Sequence, residues 1–233
     1  MRRSRRALTL IGTIALLGAL GFAALGVWQL ERLAWKNALI AAIDTRSHAA
    51  PVDAGDPAIW ASFTPEADQY RRAEITGHFA NGQDTLVQAV TAYGGGFWVL
   101  TPLLTPAGAV LINRGFVPYD DPDPAIPTGQ VTITGLLRPT EPGGAFLRDN
   151  DPANDRWYSR DIAAIAAAKN LGPTAPFFLD ADRASDPAAY PIGGLTVLSF
   201  SNSHLVYALT WFGLSAMLLA AFGYLLWERR GRG

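Results

Sequence analysis

The chain has 233 residues, 49% of them hydrophobic, and a formal net charge of −1. It contains no cysteine, which excludes disulfides, thiolate metal sites and a cysteine nucleophile. Its three histidines lie far apart in sequence, which argues against a dedicated zinc or copper site. Between Glu31 and His204 there are 12 Lys and Arg against 19 Asp and Glu, and this acidic balance argues against nucleic acid as a partner.

The chain begins with a basic tip, residues 1–6, which is followed by an apolar run from Ala7 to Leu30. Because about 20 apolar residues of helix span a bilayer core, this run predicts a first transmembrane helix. The pair Arg5-Arg6 loosely resembles a twin-arginine export signal, but flanking charges that hold one end of a span in the cytoplasm also account for it. The run is longer than the apolar part of a signal peptide, so we expect an anchor that is not cleaved.

Small residues recur at a spacing of four along the first run, at Ala15, Ala19 and Ala23. Such a stripe allows a second helix to approach closely. The second apolar run repeats the spacing at Ala216 and Ala220 and is the expected partner, although alanine is common in such runs.

The first helix is expected to continue beyond the membrane. Trp28, Arg32 and Trp35 stand at i, i+4 and i+7 and therefore share one helical face. This face suits a ligand, with Trp28 and Arg32 as candidate contacts. An interfacial aromatic belt, and snorkelling of Arg32 and Lys36 to the headgroups, would explain the same residues.

Residues 31–204 predict one β-rich extracytoplasmic domain with at least one helix. Asp44–Thr64 has no periodicity and predicts an irregular linker. A helix is expected after a cap at Ser159 or Asp161 and before Gly172. The strand order is not readable from these patterns, so a small barrel and an open sheet with a helix on it both remain. Alternating or short apolar runs predict strands at Arg71–Phe79, Asp84–Val90, Gly96–Leu104, Ala109–Val117, Gln130–Leu137, Phe177–Asp180 and Gly194–Phe200.

Three local features of this domain can be interpreted further. Thr105–Gly108, between two strong strands, is a hairpin signal. His78 is expected to face outward from its strand or to cap it. The stretch 140–158, rich in Pro, Gly, Asp and Asn, predicts a long irregular loop of the kind that often carries function.

The second apolar run, Leu205–Trp227, has 23 residues without a charge and predicts a second transmembrane helix. A basic tail, residues 228–233, follows it. The two tips together carry seven arginines and one glutamate, so both termini are expected in the cytoplasm and the middle domain outside it. The predicted fold class is a membrane protein of the α+β type, with two transmembrane helices flanking one β-rich extracytoplasmic domain.

His204 stands at the extracytoplasmic mouth of the second run, and Tyr207 and Trp211 fall on the same helical face. A histidine in this position can bind haem iron through one ring nitrogen, with aromatic side chains around the macrocycle. Arg32 or Lys36, at the end of the neighbouring helix, would suit the propionates. The alternative is a hydrogen-bonded histidine at the membrane interface.

The residues provide little support for an enzyme. Ser203 and His204 are adjacent and cannot form a catalytic pair, and no GxSxG elbow is present. Asp120, Asp121 and Asp123 cluster, but the prolines between them break a calcium-loop pattern.

Six stretches spread in order along the chain resemble known signatures. They are GVWQLERLAWK (26–36), WVLTP (98–102), VLINRGFVP (110–118), NDPANDRWY (150–158), PIGG (191–194) and SNSHLVYALTWF (201–212). Together they resemble the Surfeit locus protein one family over nearly the whole chain. Phe116 stands where that family often has Trp, and Ser203 where it often has Asn.

The resemblance implies an assembly factor for haem–copper terminal oxidases, especially cytochrome c oxidase, and not an enzyme. It implies haem a as a transient cofactor, with His204 as the candidate ligand of the haem iron. The implied setting is the inner membrane of a bacterium, where the respiratory chain resides. The implied partners are the catalytic subunit of the oxidase and the lipid bilayer, with haem a synthase as a further candidate.

Three hypotheses follow. The first is a membrane-anchored chaperone that holds haem a or inserts it into the oxidase. The second is a haem-free scaffold that stabilises an assembly intermediate. The third is a membrane-bound hydrolase that uses the acidic loop around Asp120, Asp121 and Asp123. The candidate partner contacts for the scaffold are Asn113, Arg114, Trp157 and Tyr158.

Overall fold

The structure is a computed structural model that describes residues 5–120, 125–144, 148–186 and 189–231. The chain divides into two units, one formed by Met1–Ala42 with Ser199–Gly233 and the other by Ile43–Leu198. Several residues interpreted above lie outside the described residues: 1–4 in the basic tip, Arg232 in the tail, and Asp121 and Asp123 in the acidic group.

The described residues form these helices: α1 (Arg5–His48), α2 (Pro57–Ser62), α3 (Pro65–Asp68), α4 (Ile162–Lys169) and α5 (His204–Gly231). The strands are β1 (Val52–Asp53), β2 (Arg72–Phe79), β3 (Thr85–Thr91), β4 (Gly94–Thr105), β5 (Gly108–Pro118), β6 (Gln130–Pro139) and β7 (Thr174–Ala181). A 3₁₀ turn covers Pro152–Asn154 within the long loop.

Two helices, α1 and α5, are long and apolar enough to cross a membrane. The 44 residues of α1 extend over about 66 Å at a rise of about 1.5 Å, roughly twice the thickness of a hydrocarbon core. The prediction that the first helix continues beyond Leu30 is therefore confirmed. The fold class is confirmed as well, since the two helices flank a β-rich domain.

The helices of the first unit pack through small residues. Ala15 and Ala19 of α1 are buried and Ala23 is half-buried, which confirms the predicted stripe. On α5 the prediction was wrong, because Ala216 and Ala220 are exposed and a different face, with Ala208 and Ser215, is buried. Ser215 Oγ donates a hydrogen bond of 2.8 Å to the carbonyl of Ala19, which satisfies the hydroxyl within the helix pair.

The seven strands form one sheet in the order β1-β2-β6-β7-β5-β4-β3. An additional antiparallel pairing joins β2 to β4 at His78 with Leu104 and Phe79 with Leu103. This pairing closes β2, β6, β7, β5 and β4 into a five-stranded barrel and leaves β1 and β3 as added strands. Of the two alternatives left open by the sequence, the barrel is the one observed.

Two groups of buried side chains form the core of the second unit. The barrel interior contains Ile75, Leu103, Ile112 and other alternating strand residues. The second group, under α4, includes Trp157 and Phe178. Full burial of each large apolar side chain stabilises the fold by about 1.5–3 kcal/mol, so both groups stabilise a domain that has no disulfide.

The strand and turn predictions are largely confirmed. Six of the predicted strands overlap β2 to β7, Thr105–Gly108 joins β4 and β5 as a hairpin, and His78 is exposed on β2. The predicted helix is α4, and Asp161 caps it by accepting a hydrogen bond of 3.1 Å from Ala164 N.

Two predictions were wrong, one of an irregular linker and one of a strand. The segment Asp44–Thr64 is only partly irregular. Its first residues form the end of α1, and it also contains α2, which Asp56 caps by accepting a hydrogen bond of 2.8 Å from Ala58 N. Gly194–Phe200 is not a strand. The preceding strand, β7, already pairs with β5 on one side and β6 on the other, so β7 has no free edge.

Candidate functional site

The register of the helix pair is set by glycines on α1 that face phenylalanines on α5. A Cβ at Gly12 would lie 2.5 Å from the Phe222 ring, and one at Gly26 would lie 2.6 Å from the Phe212 ring. Later residues of α1 thus contact earlier residues of α5, so the two helices run antiparallel. Glycine is required at these two positions because any side chain would separate the helices.

An aromatic stack lies within the same interface, close to the end of α5 that carries the histidine. The rings of Phe22 and Trp211 are 5.6 Å apart between centroids and inclined by 24°. Offset stacking of this kind contributes about 0.5–1.5 kcal/mol beyond the buried area. Trp211, a predicted haem contact, is therefore engaged between the helices.

Polar contacts join the start of α5 to the far end of the α1 interface. His204 Nδ1 lies 2.7 Å from Gln29 Oε1. Asn202 Nδ2 donates a hydrogen bond of 2.8 Å to Asn37 Oδ1, and the ammonium of Lys36 donates to the carbonyl of Ser201. The half-buried His204 is thus held at the end of a packed helix pair.

The partner of His204 determines which ring nitrogen carries the proton. An amide oxygen can only accept, so Nδ1 of the neutral ring donates to Gln29 and Nε2 retains its lone pair. Among the described residues, none forms a hydrogen bond with Nε2. An imidazole arranged in this way is able to bind a metal through Nε2, since metal-bound histidines commonly donate through the other nitrogen.

The other predicted ligand contacts lie on exposed faces of the two helices. Trp28 is 51% exposed on α1 and Tyr207 is 53% exposed on α5. The guanidinium carbon of Arg32 lies 4.5 Å from the centroid of the Trp35 ring, a cation–π geometry. These side chains are accessible to a ligand or to lipid.

The residues at this end of the helix pair fit a haem group. His204 has a free imidazole nitrogen, and Asn202 Oδ1 is buried with no hydrogen-bond partner in the described part of the chain. An unpaired buried acceptor is costly, and a donor on a ligand or a water would relieve that cost. Since Lys36 already donates to Ser201, Arg32 is the better candidate for a propionate.

The four predicted partner contacts fall into two pairs. Asn113 is 5% exposed and Trp157 2% exposed, so both lie in the domain interior. Asn113 Nδ2 donates a hydrogen bond of 2.7 Å to Asp180, and Trp157 Nε1 donates one of 2.7 Å to Asp155. We therefore assign these two to internal structure, and the half-buried Arg114 and Tyr158 remain candidate contacts.

Arg114 is held by its own domain on several sides. Its guanidinium carbon lies 5.5 Å from the Phe79 ring centroid, and Nη2 donates to the carbonyl of Ala125. Burial lowers the pKa of Arg114, and the Asp84 carboxylate opposes this by raising it. Nη1 is buried without a partner among the described residues, so this cation is anchored but not fully satisfied.

A buried ionic cluster in the barrel domain was not anticipated from the sequence. Asp180 accepts hydrogen bonds from Arg138 (2.9 Å), Arg160 (3.2 Å) and Thr196 (2.8 Å) as well as from Asn113. It borders a cavity of about 160 Å³. The members are distant in sequence and form no motif, so only the barrel topology brings them together.

Comparison with known proteins identifies similar chains, and this chain covers more than two thirds of the length of each of three relatives. The profile of the SURF1 family matches residues 16–216, from within α1 to within α5. Surfeit locus protein 1 of Rattus norvegicus and that of Homo sapiens are both 34% identical to the chain, over 88% and 90% of it and over 71% and 74% of their own lengths. A SURF1-like protein of Monosiga brevicollis is 31% identical, over 89% of this chain and 83% of its own.

Proposed function

The chain belongs to the SURF1 family, whose members are known as assembly factors for cytochrome c oxidase, and we propose that it handles haem a during that assembly. In this proposal the protein holds haem a at the extracytoplasmic edge of the membrane. It then gives the haem to the catalytic subunit of a haem–copper cytochrome c oxidase. Haem a synthase is the candidate donor, and the protein itself catalyses no reaction.

The observation that supports this proposal most strongly is the state of His204. Its Nδ1 donates to Gln29, and its Nε2 lone pair has no partner among the described residues. Bound haem supplies an iron that one imidazole nitrogen ligates. The exposed Trp28 and Tyr207 offer flat surfaces to a macrocycle, and Arg32 offers a cation to a propionate.

A carrier must release its cargo, and the residues suit a weak site. Of the protein's three histidines, only His204 belongs to the first unit, so the proposed site has one imidazole from that unit. His48 and His78 belong to the other unit. Ligation by a single, half-buried histidine favours transfer over permanent storage.

The proposed setting is the inner membrane of a bacterium. Arg6 before the first apolar run and Arg229 and Arg230 after the second are positive charges next to the spans. Such charges remain on the cytoplasmic side, so both termini are cytoplasmic and the barrel domain periplasmic in this proposal.

The test is an absorption spectrum of the full chain purified in detergent from cells that make haem a, with the pigment identified as its pyridine complex. We expect haem a in the wild type and its loss in His204→Ala. The matched control is His78→Ala, since His78 is an exposed histidine of the barrel domain and should leave the pigment unchanged. Absence of haem from the wild type, or equal loading of His204→Ala, would contradict the proposal.

The alternative function is a haem-free scaffold that stabilises an oxidase intermediate. The hydrogen bond between His204 and Gln29 favours it, because that bond alone would satisfy a histidine at a membrane interface. In this case oxidase subunits co-purify equally with the wild type and His204→Ala, and neither sample contains haem. Arg114 and Tyr158 would then be the first residues to substitute in search of the contact surface.

A further inference from the structure

The contact between Gln29 and His204 joins residues 175 positions apart, and it lies at the end of an interface whose register is already set. Gly26 is one helical turn before Gln29, and its lack of a side chain allows Phe212 to approach α1. The stacked rings of Phe22 and Trp211 hold the two helices together one turn nearer the start of α1. Gln29 is therefore presented to His204 by the packing and not by a flexible loop.

Gln29 determines more than the position of the imidazole. Free histidine in water prefers the tautomer with the proton on Nε2, which blocks that nitrogen as a ligand. The structure assigns the amide oxygen Oε1 of Gln29 to the 2.7 Å contact, and with this assignment the opposite tautomer follows, because Oε1 accepts and cannot donate. We propose that Gln29 is a positioning residue that holds His204 in the Nδ1–H tautomer and leaves Nε2 as the ligating atom.

This inference rests on the proposed function for the identity of the ligand, and it makes Gln29 a determinant of haem affinity. Outer partners of metal-bound histidines orient the ring and increase its basicity, and their loss typically lowers metal affinity by about 10- to 100-fold. We expect an effect of that size on haem affinity when Gln29 loses its acceptor.

The chain offers a matched pair of substitutions. Gln29→Met keeps the length and helix propensity of the side chain but removes the acceptor. Asn37→Leu removes the bond from Asn202 to Asn37 on the same helix and leaves His204 bonded. Gln29→Glu keeps an acceptor and is the conservative rescue.

The first measurement is made on the full chain without haem, in detergent, with ¹⁵N-labelled histidine at a pH where the ring is neutral. Ring-nitrogen NMR distinguishes the two tautomers, and His204→Ala assigns the signal. We expect Nδ1–H in the wild type, Asn37→Leu and Gln29→Glu, and a shift towards Nε2–H in Gln29→Met. An unchanged tautomer in Gln29→Met, or Nε2–H in the wild type, would overturn the proposal.

The second measurement is a titration of the same four proteins with haem a. Affinity is expected to fall about 10- to 100-fold in Gln29→Met and less than about twofold in Asn37→Leu and Gln29→Glu. Equal falls in haem affinity in Gln29→Met and Asn37→Leu would show that Gln29 acts only through helix packing. If the wild type binds no haem, the proposed function fails, whereas the tautomer result still decides whether Gln29 controls His204.

Discussion

At the scale of single residues, our account depends on His204 as the proposed haem ligand and on Gln29 as the residue proposed to orient it. His204 could be singled out because a histidine at the mouth of an uncharged apolar run is uncommon. Gln29 could not, since its contact depends on the axial register of two helices that are far apart in sequence. The same reason hid Asp180, whose donors come from two different strands, β5 and β6, and from two irregular segments.

Substitution of Asp180 tests the buried ionic cluster. Asp180→Ala leaves Arg138 and Arg160 largely buried without one of their carboxylate partners, and loss of one member of such a pair costs about 3 kcal/mol. For a domain of this size, that corresponds to a fall of roughly 6–12 °C in the midpoint of thermal unfolding. Circular dichroism of the full chain in detergent measures the midpoint.

The control for this prediction is Glu74→Gln, which removes a carboxylate from an exposed position of β2. Its effect should remain within about 0.5 kcal/mol. Similar midpoints for the two variants would show that the Asp180 cluster does not stabilise the domain.

At the scale of elements, alternation and turn chemistry were sufficient for the strands of the barrel. They were not sufficient for its closure, which depends on only two residue pairs between β2 and β4. The apolar run Gly194–Phe200 has the composition of a strand but does not join the sheet, and no local pattern reveals that both edges of β7, the strand before it in the chain, are already paired. The choice of Ala216 and Ala220 was wrong for a related reason, because composition does not give the rotation of α5 about its axis.

The helix interface predicts different outcomes for two glycines of α1. Gly26→Leu would drive a side chain into the Phe212 ring, whereas a Cβ at Gly21 meets nothing within 4 Å. We therefore expect Gly26→Leu to separate the helices near His204 and Gly21→Leu to leave them packed.

Disulfide crosslinking in membranes measures that separation. The cysteine-free chain permits a clean pair, Ala19→Cys with Ser215→Cys, at positions joined by a 2.8 Å hydrogen bond. The crosslinked fraction should fall severalfold with Gly26→Leu and remain unchanged with Gly21→Leu. Equal crosslinking in both variants would refute the close approach at Gly26.

At the scale of the whole molecule, two long apolar helices and one barrel domain form a membrane-anchored carrier in our account. The charges are divided accordingly, with basic residues next to the spans and an acidic middle segment. This division was readable from the sequence because it depends on composition and not on contacts.

The orientation of the chain is testable because any single introduced cysteine is the only one present. Ala92→Cys lies in the exposed turn between β3 and β4, and Gly231→Cys lies at the end of α5. A maleimide that cannot cross the inner membrane should label Ala92→Cys in intact spheroplasts and label Gly231→Cys only after lysis. The reverse pattern would place the barrel domain in the cytoplasm and remove the basis for a periplasmic site.

The most direct test of the account is haem transfer. Full-length protein loaded with haem a is mixed with membranes that contain the oxidase catalytic subunit without haem, and the subunit is then isolated and its haem a spectrum recorded. We predict that the wild type transfers haem a, that Gln29→Met transfers less because it loads poorly, and that His204→Ala transfers none. If the catalytic subunit acquires haem a equally well in the presence of His204→Ala, the protein does not deliver haem through this residue and the account is wrong.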